Sequence, residues 1–402
     1  MRILLADKFP ETGLEAMRAL GCDLTCDPEL NGEPLKEALA GENPEVLIVR
    51  STRVEEAHLD CAPKLGLIIR AGAGFNNIDV SAASARGIYV ANCPGRNAVA
   101  VAELAFAHLL STDRRLVDGA LELRKGRWNK KEFAKAAGIK GKTLGLVGLG
   151  NIGSEMIPRA KAFEMNVVAW SRSLTSEEAE RCGVMRASSP EEVAGQCDIM
   201  SIHLALNDET RGLIDDRVLG ALPHGALVIN TARAELLDQP SLERHLRSGR
   251  LRAALDVFTG EPSAKTGEID SSLFRLPGVQ GSHHIGASTI QAQDAVAAET
   301  VRIVKTMIEE SDVPNCVNLA SRTAASHVIV IRHRDRVGVL ANVLDRLRAA
   351  RINVQQMENV VFLGGEAAVA RIELDRDPET ETLKEIRASE HVLAVEVHAL
   401  DN

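Results

Sequence analysis

The segment Gly148-Leu-Gly150-Asn-Ile-Gly153 constrains this chain more than any other stretch, because of what flanks it. It follows the apolar run TLGLV and opens a helical stretch, SEMIPRAKAF. A strand passing through a glycine turn into a helix gathers backbone N–H groups and the positive helix end at one point, which suits an anion. Gly148 permits the tight turn, Gly150 lets a pyrophosphate approach the backbone, and Gly153 lets the helix pack on the sheet. A lone G-x-G-x-x-G is often only a glycine-rich turn. Set between strand and helix, it reads as a dinucleotide fingerprint.

The surrounding sequence supplies the matching scaffold. From Lys142 to about His284 the runs TLGLVG, NVVAWS, CDIMSIHL, ALVINTA and RAALDVF alternate with segments of helical spacing, the rhythm of a doubly wound parallel sheet. The first hundred residues repeat that rhythm on a smaller scale in RILLAD, EVLIVRS, LGLIIRAGAG and GIYVANC. Residues 98 to 110 (AVAVAELAFAHLL) read as a buried helix bridging the two units. A long helix near 289 to 310 and a linker (VPNCVNLASRTAAS) follow. The tail from about Ser326 has the order βαββαβ of a ferredoxin-like sandwich. The expected fold class is α/β, with two Rossmann-like domains and a C-terminal ferredoxin-like domain.

In a dinucleotide domain the second strand usually ends in a carboxylate that holds the ribose of NAD. Here it ends Trp170-Ser171-Arg172. Ser171 suits a ribose hydroxyl; Arg172 suits the extra phosphate of NADP, an adenine face, or plain solvent. NAD and NADP both stay open on this reading.

Composition removes other classes. At 402 residues the chain is too long for one typical domain. Its net charge of -9, with 47 basic and 56 acidic side chains and no Lys/Arg block, argues against nucleic-acid or acidic-membrane partners. No apolar run approaches the roughly 18 residues of a membrane span, and MRILLADKFP lacks a signal segment, so a soluble cytoplasmic protein is expected. Seven cysteines, odd in number and without a C-x-x-C pair, read as reduced thiols, and no metal site is expected.

Three later segments carry the chemistry: Asn230-Thr-Ala-Arg233, Asp256-Val-Phe-Thr-Gly-Glu261-Pro and His284-Ile-Gly-Ala-Ser-Thr289. With the glycine motif, RAGAGFNNID (70 to 79) and NCPGRNAVAVAE (92 to 103), they resemble the D-2-hydroxyacid dehydrogenase family over nearly all of residues 1 to 318. With the tail added, the chain looks most like the phosphoglycerate dehydrogenase branch that ends in an ACT domain.

The resemblance implies a substrate domain (1–97 with 286–318), a dinucleotide domain (98–285) and an ACT regulatory domain (326–402). It implies NAD-dependent chemistry at C2 of a small 2-hydroxy acid, with NADP admitted by Ser171-Arg172. His284 becomes the acid/base, Glu261 its carboxylate partner and Arg233 the holder of the substrate carboxylate. The physics agrees: imidazole titrates near neutrality, a carboxylate stabilises imidazolium, and Arg grips a carboxylate through two parallel hydrogen bonds. By position, the cofactor contacts are Ala73, Gly148, Gly150, Asn151, Ile152, Gly153, Ser171, Arg172, Leu204, Thr231, Asp256 and Gly286. Two departures stand out. Ala234 replaces a usual Gly, which would strain the chain if that position needs φ > 0, and His283 replaces a usual Pro.

On the same resemblance, backbone N–H groups of Ala71, Gly72 and Ala73 receive the substrate carboxylate. Arg50 and Ser51 meet a substrate phosphate, with Arg96 as a second positive charge. An unphosphorylated acid such as glyoxylate or hydroxypyruvate is the alternative, and a non-catalytic nucleotide sensor is a third reading. In the tail, His333, Asp335 and Asn353 correspond to an amino-acid effector site. Asp335 replaces the usual Asn and Val337 the usual Pro, so plain dimerisation through sheet edges competes with effector binding. A homodimer or homotetramer is expected.

Overall fold

The computed structural model describes residues 1–262, 266–320 and 322–400. The chain forms two compact units, Met1–Asn318 and Leu319–Asn402.

The first unit contains two parallel sheets. One comprises β1 (Arg2–Leu5), β2 (Asp23–Cys26), β3 (Val46–Val49), β4 (Leu67–Arg70) and β5 (Tyr89–Asn92) in the order β2-β1-β3-β4-β5. Its strands are short aliphatic runs because both faces are covered; every residue of β3, VLIV, is buried. Side chains alternate between two cores. Leu4, Leu47 and Ile68 meet Leu35 and Leu39 of the helix Gly32–Glu42 on one face. Ile3, Val46 and Ile69 meet Leu14 and Met17 of the helix Glu11–Ala19 on the other. The long helix Ile290–Glu310 returns to this second core through Ile303 and Val304.

The larger sheet comprises β6 (Thr143–Val147), β7 (Asn166–Trp170), β8 (Met185–Arg186), β9 (Ile199–Ile202), β10 (Ala226–Asn230), β11 (Leu251–Leu255) and β12 (Val279–Gly281). Their order is β12-β11-β10-β9-β6-β7-β8, again parallel. The helix Ala98–Arg114 packs Ala102, Ala105, Phe106 and Leu109 against Leu144, Leu146 and Ile229 of this sheet. Each fully buried Leu or Phe there contributes about 1.5–3 kcal/mol.

The second unit runs β13 (His327–Arg334), the helix Val339–Ala349, β14 (Val354–Val361), β15 (Ala367–Leu374), the helix Thr380–Arg387 and β16 (Val392–Ala399). The sheet is antiparallel, ordered β14-β15-β13-β16, the arrangement of a ferredoxin-like sandwich. Ile329, Ile331, Ile372 and Leu374 bury one face of it under Val343, Leu347 and Ile386 of the helices. Among the described residues, no helix is long and apolar enough to cross a membrane.

Candidate active site

In an open parallel sheet a crevice forms beyond the carboxyl ends of two neighbouring strands whose connections leave in opposite directions. In the larger sheet these strands are β6 and β9. β6 runs into Gly148, which adopts φ 101° and donates its N–H to the Trp170 carbonyl at 2.8 Å. A Cβ on Gly148 would stand 2.5 Å from the His203 carbonyl oxygen, and one on Gly153 2.3 Å from the Gly148 oxygen. Neither position admits a side chain. A Cβ on Gly150 would meet nothing within 4 Å, so space lies open at the start of the helix Asn151–Ala162, whose first amides lack intrahelical partners.

The walls of this crevice hold unsatisfied polar atoms. Thr231 Oγ1, just past β10, and His203 Nδ1, just past β9, are buried without a hydrogen-bond partner. Burial holds the His203 imidazole down to about 4, so the ring is neutral, with Nε2 against Ser201 Oγ at 2.9 Å. Leu204 lines the same turn, 3.0 Å from the Cβ position of Gly148. An orphaned buried hydroxyl costs about 1–3 kcal/mol unless a ligand satisfies it. An open glycine turn, a helix N-terminus and a partnerless hydroxyl together fit a nicotinamide dinucleotide. Ser171 is half-buried at the end of β7, while Arg172 is exposed and paired with Glu209.

The three residues expected to carry chemistry lie on loops after β10, β11 and β12. Asn230, fully buried, braces the first loop by accepting the Ala232 N–H at 3.0 Å and donating to the Arg233 carbonyl at 2.8 Å. Arg233 Nη1 donates to the Ala232 carbonyl at 2.7 Å, while Nη2 lies 2.1 Å from where a Cβ on Gly74 would be. Its guanidinium thus rests on the bare backbone of the loop after β4. Ala234 opens a 3-10 turn, Ala234–Leu236, without positive φ, so alanine there causes no strain.

His284 Nδ1 lies 2.7 Å from Glu261 Oε2, and Glu261 Oε1 accepts the Phe258 N–H at 2.7 Å. Burial pushes the Glu261 carboxyl up, but the His284 hydrogen bond, the Phe258 amide and the charges of His284 and Arg233 outweigh it and leave it below its ordinary value. His284 has φ 52°, a left-handed conformation uncommon for a residue with a side chain. Asp256 braces the backbone that follows it. This fully buried residue accepts from Ser282 Oγ at 2.5 Å, the Ile285 N–H at 2.9 Å and the Gly286 N–H at 2.8 Å. These three donors leave about one of its four acceptor positions for a cofactor amide.

The smaller sheet has its own crevice, between β1 and β3. Asp7 fills it, accepting the N–H groups of Arg50 (2.7 Å), Ser51 (3.0 Å) and Thr52 (3.0 Å) and the Ser51 hydroxyl (2.7 Å). Burial raises the Asp7 carboxyl, and those hydrogen bonds outweigh it, so the group is held below its ordinary value. The Ser51 proton, expected to meet a substrate, is therefore committed to Asp7. Two loop amides are committed as well: Ala71 donates to the Val49 carbonyl and Gly72 to the Arg70 carbonyl, each at 2.7 Å. The Ala73 carbonyl accepts from Asn92 Nδ2 at 2.6 Å. Arg96 pairs with Glu299 at 2.7 Å.

Sequence reasoning missed Arg70. Its Nε is buried without a partner, and its Nη1 lies 1.6 Å from the Cβ position of Gly72, which adopts φ 151°. Burial, then the charges of Arg233 and Arg50, lower this guanidinium to about 10. Arg50 and Arg233 thus lie near enough to Arg70, the last residue of β4, for their charges to act on it. The signal was present in RAGAG, where small residues leave room for a long cation beside them.

The expected effector residues belong to the second unit. His333 is buried, with Nδ1 against the Arg334 carbonyl at 2.8 Å and Nε2 against Asn359 Oδ1 at 3.1 Å, so a ligand would have to displace Asn359 to reach it. Asp335 and Asn353 are exposed.

Residues 106–286 match the family model "D-isomer specific 2-hydroxyacid dehydrogenase, NAD binding domain". The chain is 32% identical to a D-3-phosphoglycerate dehydrogenase of Methanocaldococcus jannaschii over 376 residues, covering 93% of this chain and 67% of that protein. It is 32% identical to a glyoxylate reductase of Thermococcus litoralis over 325 residues, covering 79% of this chain and 96% of that one. The crystal structure of the TT0316 protein from Thermus thermophilus superposes with a TM-score of 0.70 at 32% identity, over 79% of this chain and all of that one. The chain spans between 58% and 68% of the length of the curated phosphoglycerate dehydrogenases it matches.

Proposed function

Because the chain belongs to the family of D-isomer-specific 2-hydroxyacid dehydrogenases, we propose that it interconverts a small D-2-hydroxy acid and its 2-oxo acid with NAD, acting on 3-phosphoglycerate. The observation that carries this reading is the His284–Glu261 pair, 2.7 Å apart, with Arg233 near enough for its charge to lower the Glu261 carboxyl.

The glycine turn at 148–153 and Thr231 hold the dinucleotide, which, when bound, supplies the two-electron acceptor or donor for C2. Everything else falls to the chain's own side chains. With Nδ1–H donated to Glu261, the free nitrogen of His284 is Nε2. During oxidation Nε2 takes the C2 hydroxyl proton; during reduction it returns a proton to the carbonyl oxygen. Glu261 stabilises the imidazolium and fixes the ring's orientation. Arg233, whose one hydrogen bond among the described residues goes from Nη1 to the Ala232 carbonyl, clamps the substrate carboxylate and so aims C2. Arg50 and Arg70 add the positive charge that a phosphate at C3 requires.

A reductase for unphosphorylated glyoxylate or hydroxypyruvate is the second reading. The engagement of Ser51 by Asp7 and of Arg96 by Glu299 favours it, since both are withdrawn from a phosphate. A substrate panel followed by absorbance of the reduced nicotinamide separates the readings. Turnover of 3-phosphoglycerate supports the first, turnover of glyoxylate alone the second, and none with any acid a non-catalytic nucleotide sensor. The βαββαβ unit is proposed as an ACT domain that takes a small amino acid near Asp335 and Asn353 and assembles the chain into a homodimer or homotetramer. Inhibition by serine in the same assay tests it.

A further inference from the structure

The helix Ala98–Arg114 is apolar where it covers the larger sheet, yet one buried position on it is a histidine. His108 is 4% exposed, and its Nε2 lies 2.8 Å from Ser282 Oγ. Ser282 donates its single proton to Asp256 Oδ1 at 2.5 Å, so its oxygen accepts from His108, and His108 carries its proton on Nε2. The same Asp256 oxygen accepts the Ile285 N–H, and the other accepts the Gly286 N–H. These amides directly follow His284, which adopts φ 52°. Val101, two helical turns before His108 and on the same face, stands 3.4 Å from the Cβ position of Gly286. One helix face therefore grips both ends of the 282–286 loop, by a hydrogen bond at the start and by packing at the end.

We propose that His108 is a positioning residue for the reaction: through Ser282 it orients Asp256, and through Asp256 the backbone from which His284 acts. This rests on the reading of His284 as the acid/base. Burial lowers the His108 imidazole against the pull of Asp256, which keeps the ring in the neutral Nε2–H form the relay needs. A leucine would fill the same space without donating to Ser282. The hydroxyl would then be free to rotate away from Asp256, and the loop would lose one of the three donors that fix its brace.

The test measures His108→Leu, His108→Gln and Ser282→Ala beside the parent chain, with kcat and KM for the preferred acid. Amide hydrogen exchange at Ile285 and Gly286 is followed in the cofactor-free chain. The expected result is a kcat about tenfold lower for His108→Leu and Ser282→Ala with KM little changed, because a small misplacement of the base costs turnover rather than binding. Exchange at both amides quickens in each, and His108→Gln, which still donates an N–H, regains most of the kcat. A kcat for His108→Leu within about twofold of the parent, or a Gln variant no better than Leu, overturns the proposal. If His108→Leu does not fold, an unchanged kcat and unchanged exchange in Ser282→Ala overturn it alone. Absence of turnover in the parent overturns the reading of His284 instead, and is distinguishable because the exchange comparison needs no activity.

Discussion

The two parallel sheets of the first unit build the same crevice and use it in opposite ways. In the larger sheet the turn after β6 leaves its space open at Gly150, with a helix N-terminus facing it and a partnerless Thr231 hydroxyl at the wall. In the smaller sheet the turn after β3 also presents three consecutive amides, but Asp7 consumes all three. A built-in carboxyl has taken the anion's place, and the positive charge is moved out onto the guanidiniums of Arg50, Arg70 and Arg233. On the proposed function, the first crevice would receive an anion through its backbone and suits a large shared cofactor; the second would receive one through side chains, which substitution can retune. Topology supplies the place, and a single side chain decides what it holds.

The largest effect should come at the proposed acid/base itself. His284→Ala is expected to lower kcat by about 10²–10⁴ while NAD titration stays near that of the parent, because neither anion reader is touched. An active variant would remove His284 from the chemistry. Gly148→Ala should break the backbone reader: a side chain at φ 101°, 2.5 Å from the His203 carbonyl, costs at least about 1–2 kcal/mol in conformation before the clash. NAD affinity should fall by about tenfold or more, with a lower melting temperature.

Arg70→Leu should break the side-chain reader. Loss of charge-assisted hydrogen bonds worth about 1.5–3 kcal/mol raises KM for a phosphorylated acid between about tenfold and a hundredfold. Glyoxylate and NAD should be little affected, and an equal loss for glyoxylate would mean that Arg70 reads no phosphate.

The smallest effect concerns the helix behind the smaller sheet. Glu299, 4% exposed and bound by Arg302, then Asn315 and Arg96, has its carboxyl held down to about 2 from 4.5. A depressed folded-state value means stability that is present above about 4.5 and lost as pH falls towards 2. Glu299→Gln should flatten the fall in melting temperature across that window, and an unchanged slope would show that the contacts add nothing.

The sequence made the larger crevice legible because its requirements are local: strand, three glycines and helix are contiguous, and each glycine answers a steric demand visible in the spacing. Arg233, Glu261 and His284 were legible only through their motifs, since nothing near any one of them announces the others. Asp7 and His108 were illegible for a physical reason. Each works through a partner far along the chain, with Asp7 joined to Arg50 and His108 to Ser282, 174 positions away. At Ala234 the condition for strain is not met, because a 3-10 segment without positive φ lies there. The amides of Ala71 and Gly72 looked free until the carbonyls of Val49 and Arg70 were found against them.

A crystal structure of the chain with NAD and the acid it turns over tests the whole account at once. The expected result has the pyrophosphate over Gly150, the substrate carboxylate on Arg233, and His284 Nε2 within hydrogen-bond reach of the C2 oxygen. A dinucleotide bound away from the glycine turn, or a C2 oxygen out of reach of His284, would contradict it.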